Sequence, residues 1–198
     1  TAFHVVEHIT FDQVRTLISE ALRVLKPGGL LIMETPNPEN LVVATRNFYL
    51  DPTHQKPIPS QLLAFVAEHT GFARTKTLRL QEQKNLIENS AITLSDVFKG
   101  ASPDYAVIAQ KSAAADVLAR FDYPFSIEFG LSQDELLRRF DRHLGDRIEQ
   151  AEAKAQQAEA KAQQAEASSN QAVSQLQAVY ASSSWRITAP IRKFINTV

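Results

Sequence analysis

Three imidazoles and one carboxylate in this 198-residue chain are spaced to share one site: His4, Glu7 and His8 lie within five residues, and His54 follows in a later loop. Imidazole and carboxylate are the ligands a hard or borderline divalent cation such as Mg²⁺, Mn²⁺ or Zn²⁺ takes in a protein without cysteine, and this chain has none. A second reading needs no metal. Imidazole titrates near neutral pH, so His8 or His4 could act as a general base. A third is structural, with Glu7 and His8 capping the next helix and hydrogen-bonding the loop. His69 and His143 fall in expected helices without partners and read as ordinary packing or surface residues.

The elements around these residues are legible. Residues 1–6 are apolar enough for a buried parallel strand, which carries hydrophobic side chains on both faces. Thr10 and Gln13 fit a capping box, in which each side chain satisfies a free backbone donor of the other. Val14, Leu17, Ile18, Ala21, Val24 and Leu25 then recur at helical spacing, and Pro27-Gly28-Gly29 ends that helix. The run Leu30 to Asn37 reads as a second strand, completing a β-α-β crossover. Residues 36–59 form a long loop with Pro36, Pro38, Pro52, Pro57 and Pro59, together with Phe48, Tyr49 and the run Asp51-Pro52-Thr53-His54. Loops of this length inside a compact domain are uncommon and usually functional. Ser60 is placed to cap a helix over 61–69, Arg74 to Leu80 alternates like a strand, residues 86–98 hold a short helix, and Asp104 to Gln110 reads as a last strand. Glu34, at the end of the second strand, could touch a substrate, although serving loop backbone donors is the simpler role.

Taken together, Phe3-His4-Val5-Val6-Glu7-His8, Lys26-Pro27-Gly28-Gly29, Glu34-Thr35-Pro36-Asn37-Pro38-Glu39-Asn40 and Asn47-Phe48-Tyr49-Leu50-Asp51-Pro52-Thr53-His54 resemble the second half of class I S-adenosylmethionine-dependent methyltransferases, and in particular those of bacterial O-antigen and capsular polysaccharide clusters. The resemblance spans about residues 1–111. It implies a partial Rossmann-like α/β sheet with its ligand site at the strand ends, and S-adenosylmethionine as cofactor. The glycine-rich turn that would hold this cofactor is not in the sequence, so the chain is expected to be a fragment that is inactive alone. Small-RNA 2′-O-methyltransferases and ubiquinone-pathway O-methyltransferases carry Glu-x-x-Glu-His at the matching strand end and hold a divalent cation there. The resemblance thus implies a metal set of His4, Glu7, His8 and His54, with His4 departing from the family glutamate. The implied acceptor is a hydroxyl or phosphate of a surface glycan or lipid-linked sugar. Two alternatives stand beside it: a small-metabolite or phenol O-methyltransferase, and a non-catalytic coiled-coil scaffold of polysaccharide assembly.

After residue 111 the character changes. Residues 113–120 suggest a helix, within a linker over 112–131 that is aromatic from Phe121. Ser132 with Glu135 fits a second capping box, opening a long helix over 132–181. In it Ala-Glu-Ala-Lys-Ala-Gln-Gln occurs in tandem at 151–157 and 158–164. A heptad register places Leu137, Leu144, Ala151, Ala158, Ala165, Ala172 and Val179 on one seam, and Ile148, Ala155, Ala162, Ser169 and Leu176 on the other, a coiled-coil pattern that points to a homo-oligomer. A single solvated helix of good helix formers is the alternative. Residues 182–198 form a basic, aromatic tail. Trp185, Ile187, Ile191, Phe194 and Ile195 could insert into an anionic membrane surface with Arg186, Arg192 and Lys193 at the headgroups, or the tail could link to a further domain. A net charge of -1 excludes a general nucleic-acid binder. No apolar run nears the ~20 residues of a membrane span, which with the absence of cysteine suits a cytoplasmic protein, in contact with the inner membrane at most through its tail.

Overall fold

The computed structural model describes residues 1–89, 91–190 and 192. The chain divides into a first unit, Thr1–Leu144, and a second, Gly145–Val198. The first unit is mixed α/β, as expected. Its four-stranded sheet is built from β1 (Ala2–Phe3), β2 (Leu30–Pro36), β3 (Arg74–Leu80) and β4 (Asp104–Gln110), in the order β1-β2-β4-β3. β1 runs parallel to β2, as the crossover through α1 (Phe11–Val24) requires, whereas β4 is antiparallel to both its neighbours. α1 opens on the expected capping box, with both reciprocal bonds between Thr10 and Gln13 in place.

Val14 and Ile18 of α1 meet Leu31 and Met33 of β2, Tyr105, Val107 and Ala109 of β4, and Leu63 and Ala67 of α3 (Ser60–Thr70) in the main core. Burial alternates along β2 because successive side chains point to opposite faces. Fully burying one such aliphatic side chain contributes about 1.5–3 kcal/mol, so this layer helps hold the site's strand ends in place.

Several elements differ from the sequence expectation. β1 spans two residues instead of six, because the backbone of His4 turns into the left-handed region at φ 50°. Ser60 is the first residue of α3, while Pro59 occupies the cap position without a side-chain bond. Proline fits there since its preset φ suits the entry to a helix. The long loop contains α2 (Leu41–Thr45), capped by Asn40, and a 3-10 turn over Asn47–Leu50. Residues 84–99 hold two short helices, α4 (Lys84–Glu88) and α5 (Leu94–Lys99).

The stretch expected as a linker carries α6 (Ala115–Ala119) and α7 (Asp122–Ser126). Arg74 fastens it to the sheet, donating to Gln110 Oε1 (2.8 Å), Asp122 Oδ1 (2.6 Å) and the carbonyl of Leu118 (2.6 Å), with its guanidinium over Phe125. Gly130, at φ 70°, lets the backbone pass Arg79 so closely that a Cβ would lie 2.3 Å from the Arg79 carbonyl oxygen.

The long helix α8 runs from Gln133 to Ala181. Only half of its expected capping box forms: Ser132 Oγ accepts from the Glu135 amide, but the Glu135 carboxylate turns to Arg138 and Arg139. Leu136 and Phe140 of its first turns pack on Leu86, Ile92 and Val97, a second small core of the first unit. In the second unit, the remainder of α8 is solvent-exposed and α9 (Ser183–Ile187) follows. Arg192 stacks on Trp185 at 3.6 Å. Of the tail expectation, Ile191, Lys193, Phe194 and Ile195 lie outside the described residues. Among the described residues no helix is long and apolar enough to cross a membrane.

Candidate functional site

The end of β1 and the long loop meet where the sequence placed its chemistry. After Phe3 the chain turns at His4, whose amide still bonds the Glu34 carbonyl at 2.9 Å. A positive φ on a non-glycine residue costs free energy and marks a position held by its surroundings. Two contacts hold this one: His4 Nδ1 lies 3.0 Å from Glu7 Oε1, and its Nε2 lies 3.6 Å from Glu34 Oε1. Glu7 is fully buried, and its other oxygen accepts from Thr35 Oγ1 at 2.9 Å. A buried carboxylate needs such partners to offset its lost hydration. Each oxygen keeps a further acceptor position.

His8 and His54 face each other, ring centroids 4.6 Å apart. His54 Nδ1 donates to the carbonyl of Phe48 at 2.6 Å, and the Phe48 ring packs on the imidazole at 4.4 Å. That bond makes Nδ1 the donor, so in the neutral imidazole Nε2 carries the lone pair, 3.9 Å from Asp51 Oδ2. The same logic holds for His8 through a relay. Thr53 Oγ1 gives its proton to Asp51 Oδ1 (2.6 Å), so toward His8 Nδ1 (2.8 Å) it is the acceptor and the imidazole is the donor. Hydrogen bonds from the Thr53 hydroxyl and amide hold the Asp51 carboxyl below the usual carboxylate range, keeping the relay's end charged. The Gln55 amide to Glu7 carbonyl bond, 2.7 Å, ties the loop to the strand end.

Ligand atoms of Glu7, His8 and His54 all lie within 4.8 Å of one another. Metal–ligand bonds of about 2.0–2.2 Å in tetrahedral geometry place such atoms roughly 3.3–3.6 Å apart, so the trio would draw inward to surround a divalent cation. The hydrogen bond from His54 to the Phe48 carbonyl also fits, since metal-binding histidines ordinarily donate their other N–H to a carboxylate, a backbone carbonyl or water. His4, expected as a fourth ligand, is not in this trio. It is turned to Glu7 and Glu34, where it orients the carboxylate. Of the remaining histidines, His69 stacks on Phe65, away from the site.

Sequence reasoning missed Thr53, Thr35 and Asp104. Asp104 lines a cavity of about 190 Å³ with Pro36, Asn47, Phe48 and His54. The signal was faint, for only the pairing of Pro36 with Asp104 across β2 and β4 brings it there. Burial, with Glu34 and Glu7 adding to it against the pull of His4, pushes the Asp104 carboxyl above its usual range. A carboxyl raised in the folded state contributes stability below its unfolded pKa, and that contribution is lost as pH rises through the folded value. Asp104→Asn is therefore expected to raise the thermal midpoint at neutral pH, with a gain that vanishes below the ordinary carboxylate range. A gain of equal size at every pH in a set of melts would rule this out.

No protein-family model matches the chain. Over 89 residues it is 34% identical to a probable S-adenosylmethionine-dependent methyltransferase of Mycolicibacterium smegmatis, a match covering 45% of this chain and 34% of that protein. Among solved structures it is similar to a SAM-dependent methyltransferase from Archaeoglobus fulgidus, at 28% identity and a TM-score of 0.48, over 56% of this chain and 57% of that one. The chain spans about one third of the length of the curated relative it matches.

Proposed function

We propose that this chain forms the acceptor side of an S-adenosylmethionine-dependent O-methyltransferase, with Glu7, His8 and His54 at its reacting centre. The supporting observation is the convergence of these three side chains beside the Asp104-lined cavity, in a chain whose similarity is to methyltransferases. A hydroxyl is a poor nucleophile until its proton is withdrawn or made more acidic. A divalent cation, when bound, supplies that acidity by stabilising negative charge on the acceptor oxygen. Glu7, His8 and His54 would hold it, with Phe48 O and Thr53 orienting the two imidazoles and His4 and Thr35 orienting the carboxylate. The unprotonated Nε2 of His8 is the alternative acceptor of that proton when no metal is present.

At about 190 Å³ the cavity is smaller than the ~300–1,000 Å³ of sites for drug-sized ligands, so it suits a single ring. Asp104 and Asn47 provide polar contacts and Phe48 an apolar wall, a combination that suits one sugar unit of a surface glycan or its lipid-linked precursor. No residue of this chain is assigned to the methyl donor, because the sequence contains no glycine-rich turn of the kind that would cradle it.

The test is calorimetric titration of S-adenosylmethionine and of Mn²⁺ into the longest natural protein that contains this sequence, wild type and His54→Ala. Cofactor binding plus a Mn²⁺ signal lost in His54→Ala supports the metal-assisted reading. Cofactor binding with no Mn²⁺ response leaves the histidine base. Absence of cofactor binding removes the methyltransferase reading and leaves a scaffold.

A further inference from the structure

The exposed length of α8 carries an ordered charge pattern that no ion pair among the described residues uses, although Glu159 accepts a 3.5 Å hydrogen bond from Gln163 on the same helix. With Ile148, Ala155 and Ala162 at heptad position a and Ala151, Ala158 and Ala165 at d, position g is held by Arg147, Lys154 and Lys161, and position e by Glu152, Glu159 and Glu166. Across the three heptads from Arg147 to Glu166 every g residue is basic and every e residue is acidic, while Ser168 and Gln175 at g and Val173 at e are uncharged beyond them. A solitary helix draws support from opposite charges three or four residues apart, yet Lys154 and Lys161 have only Ala or Gln at those distances. Among the described residues none of these six charges makes an ion pair. The offset that does recur is five residues, from Arg147 to Glu152, Lys154 to Glu159 and Lys161 to Glu166. Residues five apart do not meet on one helix. In a parallel, in-register pair of helices, that is the g–e′ relation across the seam.

We infer that α8 is a parallel, in-register self-association element whose partner is a second copy of this chain. Charge decides the orientation. An antiparallel pair would set g against g′ and e against e′, opposing Lys to Lys and Glu to Glu, which is destabilising. The seam itself is small in the middle and larger at its ends, where Ile148, Leu176 and Val179 are each about half exposed (50%, 56% and 52%) and unpartnered. Alanine allows the two backbones to approach closely along the repeat, while these end residues supply the apolar area. Asp141 occupies the next a position upstream, so the seam starts at Leu144 and runs to Val179, a length of about 53 Å at 1.5 Å per residue. The inference is independent of the methyltransferase reading.

Because the chain has no cysteine, single Ile148→Cys and Leu176→Cys variants of the full chain report orientation directly. Each alone is expected to form a covalent dimer on mild oxidation. Cross-linking only in a mixture of the two variants would mean antiparallel pairing and overturn the inference. So would a mass in sedimentation equilibrium equal to the 22.0 kDa of one chain at every concentration tested. Lys154→Glu with Lys161→Glu turns the g–e′ contacts of these residues into like charges and is expected to weaken association by roughly tenfold or more. Helicity at low concentration should stay unchanged, since Glu and Lys are similar helix formers. Adding Glu159→Lys and Glu166→Lys to that variant restores opposite signs and should restore association. Failure of this rescue, with helicity intact, would remove charge pairing as the determinant.

Discussion

Phe48→Ala is expected to lower the stability of the first unit by about 3–5 kcal/mol, the usual range for deleting a buried phenylalanine ring. The residue is 2% exposed although it lies in a 3-10 turn of the long loop. Its ring packs against His54 at 4.4 Å and Tyr49 at 5.5 Å, and lines the cavity that also holds Asp104. Truncation therefore enlarges a cavity that already measures about 190 Å³, and the polar groups around it limit how far the surroundings can collapse. The loss also reaches the site, because His54 keeps its bond to the Phe48 carbonyl but loses the ring that fixes its tilt. Phe48→Leu retains most of the apolar volume and should cost less than half as much. Denaturant midpoints with unchanged slopes would measure both. A Phe48→Ala cost below about 1 kcal/mol would show that the loop is not part of the core.

Glu7→Gln should cut Mn²⁺ affinity by more than the ~10–100-fold typical of losing a group that only hydrogen-bonds a ligand, while moving the thermal midpoint little. The substitution preserves shape. Its amide oxygen can accept from Thr35 as Glu7 Oε2 does, and its NH₂ can donate to His4 Nδ1. What disappears is the carboxylate that converges with the His8 and His54 imidazoles, the feature that makes this trio suited to a dication rather than to neutral hydrogen bonding. Isothermal titration with Mn²⁺, run beside thermal melts, separates the two effects. Unchanged Mn²⁺ affinity would remove Glu7 from any metal-binding role. A collapse of the melting temperature would instead mark Glu7 as a structural keystone for His4 and Thr35.

Much of the fold could be read locally. The strands at 30–36, 74–80 and 104–110 announce themselves by apolar content or alternation, and the Thr10–Gln13 box is encoded within four residues. What failed depended on partners far away. Residues 1–6 are apolar enough for a full strand, but His4 leaves it to reach Glu7 and Glu34. Residues 112–131 look like a linker until Arg74, some forty residues earlier, is seen to anchor them. At the site, Glu7, His8 and His54 were legible as residue types, and His4 was grouped with them by spacing and by standing where the resembling families carry a glutamate. The bonds from the two histidines to Phe48 O and Thr53 Oγ1 that decide their tautomers carry no motif. The charge order at e and g of α8 was fully present in the sequence and gains its force from the observed continuous, exposed helix.

The two margins of the sheet bear on how copies of this chain can meet. An edge strand with free amides and carbonyls is a template for edge-to-edge aggregation. Here one margin, β1, offers only Ala2–Phe3 before the backbone turns away. The other, β3, carries Arg74, Lys76 and Arg79, and its Arg79 amide is already bonded to the Phe129 carbonyl. Brevity guards one side, and charge with a crossing backbone guards the other. Disordered stacking through the sheet is thereby discouraged, which fits the association through the α8 seam proposed above.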